Sequence, residues 1–240
     1  MNVNKKFYTT TELAKIIGIS RVAVFNKIKK GEIKAQKMGR NFVIFIKDLG
    51  DIENLSSELF KVAKKWTESG GEISEEYYCQ YSGVFQARIS KMEKLLIQDK
   101  RWKDLAPVLT SITGEIGNNS FDHNLGQWPD IPGIFFGYDL NKGQIVLADR
   151  GLGVLETLKR VKPELKNHKQ AVKTAFTEII SGRKPEARGN GLKYVRNMII
   201  KYPVDLTFQT GNAKLTLIGD TMNIEVASDN IRGCIALIKF

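Results

Sequence analysis

Hydrophobic and polar positions divide the chain into stretches of different period. Between residues 9 and 31 apolar side chains recur at helical spacing in two short bursts, Leu13, Ile16 and Ile17, then Val24 and Ile28. Thr9 with Glu12 three residues on is a capping-box signature, and Gly18 stops the first helix. Ser20 can cap the second helix, and Gly31 ends it. Two short helices joined by a tight Gly-containing turn predict a helix-turn-helix. The run "AQKMGRNFVIFIK" then predicts strand, Gly-Arg-Asn turn and strand, which is a wing.

A second helical stripe follows from Asp48 to about Gly71, with Ile52, Leu55, Leu59, Val62 and Trp66 separated by Lys and Glu, and "ESGGE" breaks it. This stripe can pack on its own chain or pair with a second copy. Residues 76–101 predict a helix that opens a larger domain. Helices are then expected near 103–125, 168–181 and 190–201, and strands at 131–139, 143–149, 204–210, 213–219, 221–226 and 233–240. The organisation is α+β: a small module at 1–48, a helical linker at 49–75 and a main domain at 76–240.

Composition adds little until the charge is located. The chain has 240 residues, 42% hydrophobic and 26% charged, which is ordinary for a globular protein. No run of 18 apolar residues exists, and "MNVNKKFYTT" lacks an apolar core of signal-peptide length, so a cytoplasmic protein without membrane contact is expected. Cys79 and Cys234 read as reduced, structural thiols rather than a disulfide or zinc framework. The formal net charge is +11. Residues 1–47 hold eleven Lys/Arg against two Glu, a net of +9, which leaves +2 for all the rest. Such asymmetry points to a basic module that meets a polyanion, fused to a near-neutral body.

The order from Thr9 to Arg40 resembles the winged helix-turn-helix of the MerR/excisionase type, over about 45 residues. The resemblance implies binding to double-stranded DNA, with the second helix in the major groove and the wing on the backbone. Arg21, Asn26, Lys27 and Lys29 fall mostly outside the Val24/Ile28 face and are candidates for base or phosphate contact. Lys37, Arg40 and Asn41 of the wing would meet phosphates.

The densest polar chemistry lies in "GEIGNNSFDHN" at 114–124. On a helix at 100° per residue, Glu115, Asn119 and Asp122 fall within roughly a 60° arc. Leu105, Leu109, Ile112 and Ile116 fill the neighbouring arc, so the polar stripe borders the apolar one instead of opposing it. That places polar groups at the edge of a core. Gly114 and Gly117 in a helix interior cost about 0.5–1 kcal/mol each, and a site is one explanation. Further on, "GQIVLADRGLGVLE" predicts a strand ending in Asp149, followed by Gly151 and Gly153, glycines that allow close approach to a ligand. "GNGL" at 189–192 opens a helix whose N-terminal amides suit phosphate. No GxxxxGK[ST] occurs.

In order, E-x-x-x-N-S-x-D, D-x-G-x-G and G-x-G-L resemble the nucleotide boxes of the GHKL (Bergerat-fold) ATPase superfamily, over about residues 80–240. The resemblance implies an α/β sandwich with helices on one face of a mixed, mostly antiparallel sheet, and ATP with Mg²⁺ as cofactors. It implies Glu115 as general base and Asn119 as the Mg²⁺ ligand, with Asp122 in the outer site. Asp149 would accept from the adenine amino group, Gly151 and Gly153 would line the nucleotide, and Gly189, Gly191 and Leu192 would lie under the phosphates, with a lid over about 155–188. Arg183, Lys184 and Arg188 would be phosphate partners in that lid. The implied protein is a slow Mg-dependent ATPase whose nucleotide state governs DNA binding or dimerisation. Alternatives are a serine/threonine kinase of the anti-sigma-factor type acting on a protein partner, or a non-hydrolysing nucleotide sensor. Two departures stand out. Neither His123 nor His168 lies in a phosphoacceptor helix ahead of the domain, so histidine autophosphorylation is not expected, and Cys234 stands where many relatives carry Thr.

Overall fold

A computed structural model describes residues 7–17, 21–39, 41–45, 58–178 and 191–240. In the N-terminal module, strand β1 (Phe7–Thr9) leads into α1 (Thr10–Ile17), followed by α2 (Arg21–Lys29), β2 (Gln36–Met38) and β3 (Asn41–Phe45). The capping box forms as the sequence predicts: the Glu12 amide donates to Thr9 Oγ1 at 3.3 Å, and the Thr9 amide donates back to the Glu12 carboxylate at 2.9 Å. Gly31, at φ 74°, supplies the left-handed turn that ends α2. The wing is present, but as part of a three-stranded antiparallel sheet in the order β1-β3-β2, because β1 pairs along the outer side of β3. Tyr8, Leu13, Ala14, Val24, Ile33 and Ile44 form the module's core. Gly18, Ser20 and Arg40, with Ile52 and Leu55 of the second stripe, lie outside the described residues.

The main domain is built on a five-stranded sheet. Its elements are α3 (Glu58–Ser69), β4 (Tyr78–Cys79), α4 (Ser82–Gln98), α5 (Ala106–Asn124), β5 (Ile134–Asp139), β6 (Gln144–Asp149), α6 (Gly153–Lys159), α7 (His168–Thr177), α8 (Gly191–Lys201), β7 (Asp205–Ile218) and β8 (Thr221–Lys239). The strand order is β4-β5-β6-β8-β7, and among the described residues every pairing is antiparallel instead of mixed. The expectation of paired short strands at 204–219 and 221–240 gives way to two long ones, joined by a two-residue turn and bent at a bulge near Thr210–Ala213.

Residue alternation along the strands divides two cores. Ile145, Leu147, Ala236 and Ile238 face α4, α5, α7 and α8 together with Leu109, Ile112, Ile116, Phe176 and Val195. Val146, Ala148, Ile235 and Leu237 face the other way, onto Phe60, Ala63 and Trp66 of α3. Helices therefore cover both faces, not one. The linker helix belongs to the main domain, and its buried register is Phe60, Ala63, Trp66 and Thr67, whereas Val62 of the predicted stripe is exposed. The ring of Phe60 and the small Ala63 fit the sheet face, and Val62 is rotated away. Residues 155–177 of the expected lid are also folded: α6 and α7 bury Leu155, Leu165 and Ala171 together, and Val172 and Phe176 enter the main core. Among the described residues no helix is long and apolar enough to cross a membrane.

Candidate functional site

The end of the main core opens into a cavity of about 400 Å³ between α5, α6, α7 and the row where β6, β8 and β7 meet. That volume is in the range of small-molecule sites. Asp149 and Cys234, paired across β6 and β8, lie at its floor, and the row continues behind the lining to Thr210, the partner of Cys234 in β7.

Asp149 is the chemical centre of the row. It is 2% exposed. One carboxylate oxygen accepts from Ser120 Oγ at 2.7 Å, and the other accepts from the Gly151 amide at 2.8 Å. Burial pushes its carboxyl above the usual range, while the Ser120 hydroxyl and the Gly151 and Cys234 amides hold it down. A carboxylate in this position gains from any further donor entering the cavity. Burial, and then the nearby Asp149 charge, push the Cys234 thiol well above its ordinary value. The cysteine is thus a neutral wall group, consistent with a free, unbridged thiol. The hydroxyl absent at 234 is present one strand over on Thr210, but it is already engaged, donating to Gly233 O at 2.8 Å and accepting from the Val154 amide at 3.2 Å.

The last two turns of α5 form one wall. Asn119, Ser120, Asp122, His123 and Asn124 all line the cavity. Ser120 and Asn124 continue the apolar stripe of Ile112 and Ile116 at steps of four, so polar groups replace apolar ones where the core gives way to space. Asn124 fixes the loop after β6: its Nδ2 donates to Ser120 O at 2.7 Å, and its Oδ1 accepts from the Leu152 amide at 2.8 Å. Glu115 stands one turn before Asn119, half-buried and outside the cavity lining. It is adjacent to the helix opening at α8, since a Cβ on Gly191 would lie 2.5 Å from Glu115 Oε2 and 3.1 Å from Asn119 Nδ2. Gly191 and Leu192 line the cavity with Asn119, so three of the predicted boxes converge here.

The glycines act differently from expectation. Gly151 does not line the cavity; a side chain there would run into Asn124, so its smallness serves protein packing. Gly153 does line it, at φ 77°, with Thr210 Oγ1 2.9 Å from where a Cβ would stand. Gly117 in α5 gives room to the Phe85 ring of α4, and Gly114 faces open space with no neighbour that explains it. Gly189, Arg183, Lys184 and Arg188 lie outside the described residues. Among those described, no group of three or more His, Cys, Asp or Glu converges as a metal site.

No protein-family model matches this chain, and no curated protein matches it. Its reading therefore rests on residues and geometry. Sequence reasoning missed Ser120, Asn124, Arg160 and Glu178 at the site, and Thr210 behind it. Arg160 donates to Gln127, and Lys162 pairs with Glu178, both at the cavity rim.

In the N-terminal module, Arg21, Asn26 and Lys29 are exposed on α2, with Lys37 and Asn41 exposed on the wing strands. Lys27 differs, being half-buried and paired with Glu32 at 2.8 Å.

Proposed function

We propose that the main domain binds Mg-ATP in this cavity and hydrolyses it slowly, and that the basic module binds double-stranded DNA under nucleotide control. The single observation that carries the nucleotide reading is Asp149: a buried carboxylate, oriented by Ser120 and Gly151, at the floor of a cavity of about 400 Å³. A purine amino group would supply the extra donor that such a carboxylate favours, which makes the base specificity.

The residues present fit the phosphate end as well. Gly191 opens α8 against Asn119 and Glu115, so backbone amides at a helix N-terminus stand beside an amide oxygen and a carboxylate. Mg²⁺ commonly takes only one or two protein ligands and completes its shell with phosphates and water, so Asn119 suffices as the protein's contribution. Glu115, next to it and outside the cavity, would polarise the attacking water.

Control of DNA binding has a physical carrier. The linker helix α3 is held by Arg150, which immediately follows Asp149, and by Lys64, which pairs with Asp229 at 3.3 Å. A ligand that shifts the loop after β6 would bias α3, provided its affinity differs between the two arrangements. The test is phosphate release by the wild type and by Glu115→Ala, run beside DNA affinity at fixed salt with and without Mg-ATP. Loss of turnover in Glu115→Ala with ATP binding kept supports the assignment. Unchanged turnover removes Glu115 from it, label transferred to a protein in extract makes the domain a kinase, and DNA affinity indifferent to Mg-ATP removes the coupling.

A further inference from the structure

The exposed face of α2 is not simply basic. Val22, Phe25, Asn26 and Lys29 fall within roughly a 100° arc, opposite Val24 and Ile28. Val22 is 68% exposed and Phe25 37% exposed, an unusual display of apolar surface on a helix that also carries lysines. Phe25 meets Phe42 of β3 edge-on at 5.7 Å between centroids, which joins the helix to the wing. Lys29 Nζ stands 4.9 Å from the Phe25 ring centroid, and Lys37, the cross-strand partner of Phe42, flanks the pair from β2. An apolar centre with a cationic rim is therefore presented on the first two turns of α2.

Resting on the reading of this module as a duplex-DNA binder, we propose that Val22 and Phe25 read thymine through its C5-methyl group, with Asn26 on an adjacent adenine. The occupant follows from charge and chemistry together. The module's net +9 calls for a polyanion. Val22 and Phe25 offer no donor or acceptor, so the one base-edge feature in the major groove that they can recognise is the thymine methyl. Asn26, one turn from Val22, can pair bidentately with adenine N6 and N7. Lys29 and Lys37 then hold phosphates on either side, fixing register without reading sequence.

The experiment uses the full chain at one salt concentration with three duplexes: alternating poly(dA-dT), alternating poly(dA-dU) and alternating poly(dG-dC). Uracil keeps every hydrogen-bonding group of thymine and lacks only the methyl. The expected result is about fivefold tighter binding to the thymine polymer than to the uracil one, with the ratio falling toward one in Val22→Ser and Phe25→Ser. Helical circular dichroism confirms that each variant is folded, and Val22, being two-thirds exposed, is the safer of the two. Equal affinity for the thymine and uracil polymers overturns the methyl readout while leaving DNA binding intact. A preference that persists in both variants overturns its assignment to this face. Failure to bind any of the three duplexes overturns the DNA reading itself, and this inference with it.

Discussion

Asp149 and Arg150 are consecutive residues whose side chains leave the end of β6 on opposite faces of the sheet. Asp149 faces the cavity and Ser120, while Arg150 reaches the other way and donates to the carbonyls of Trp66 and Thr67 at 2.8 and 2.6 Å. The same guanidinium holds Asp130 at 2.6 Å, and Asp130 also accepts from Arg232 at 2.9 Å. Desolvation pushes the Asp130 carboxyl up, but the Arg150 hydrogen bond, the Ile131 amide and the charges of Arg150 and Arg232 together outweigh it and hold the group low. The Thr67 carbonyl, and the Trp66 carbonyl that also accepts from the Gly70 amide at 2.9 Å, thus find a donor at the C-terminus of α3 on a residue adjacent to the candidate site.

That arrangement makes Arg150 a structural clamp. Replacing it by Met leaves the Thr67 carbonyl without its donor and takes one donor each from the Trp66 carbonyl and Asp130, at a cost of about 2–3 kcal/mol. The urea midpoint of Arg150→Met should fall accordingly, with protease sensitivity concentrated at α3. Asp130→Asn should cost less, because Arg150 keeps both carbonyls. A loss below about 1 kcal/mol for Arg150→Met would contradict the clamp.

Two glycines in one helix should respond with opposite sign. Gly114 meets open space, so Gly114→Ala should stabilise by about 0.5–1 kcal/mol through helix propensity alone. Gly117 lies under the Phe85 ring, so Gly117→Ala forces the α4–α5 contact apart and should cost about 1–3 kcal/mol. Thermal midpoints of the two variants check this, and equal shifts would refute the packing role of Gly117.

Much of this site was legible in the sequence, and the misses have physical causes. The helical arc of Asn119 and Asp122, the strand ending in Asp149 and the helix opening at Gly191 all converge on one cavity. Ser120 and Asn124 were hidden because they occupy apolar register positions, where a polar residue reads as noise until the core is known to end there. Thr210 comes from a strand 61 residues after Asp149 and is brought into its row by β8, a pairing that no local pattern encodes. The seven residues of α6 begin at Gly153, the second of the glycine pair, and bury one side chain, too little to mark a period. The bulge at Gly211, with φ 54°, looked like a turn between two strands because "TGNA" carries turn residues.

Stability should also carry a pH signature. Asp205 and Lys239 face each other across β7 and β8. Burial raises the Asp205 carboxyl to about 6, against the pull of Lys239, and burial lowers Lys239 to about 8. Tyr8, itself raised to about 12 by burial and then by the Asp205 charge, is the other titratable neighbour. A carboxyl whose folded pKa is raised binds its proton more tightly in the folded state. Its contribution is present below about pH 4 and lost as pH rises through about 6, a change of roughly 3 kcal/mol at most. Urea midpoints measured from pH 4 to 7 should show this decline in the wild type and a flatter profile in Asp205→Asn. Matching profiles would remove Asp205 as the source.

The most direct test of the nucleotide reading is calorimetric titration of Mg-ATP into the wild type, Ser120→Ala and Asp149→Asn. One site should appear in the wild type, weakened about tenfold in Ser120→Ala and at least about a hundredfold in Asp149→Asn, because a buried donor then meets no carboxylate. Mg-GTP, which carries a carbonyl where adenine has its amino group, should not bind the wild type measurably. Equal binding of Mg-ATP by the wild type and a folded Asp149→Asn, or no binding by the wild type at millimolar concentration, would contradict the assignment.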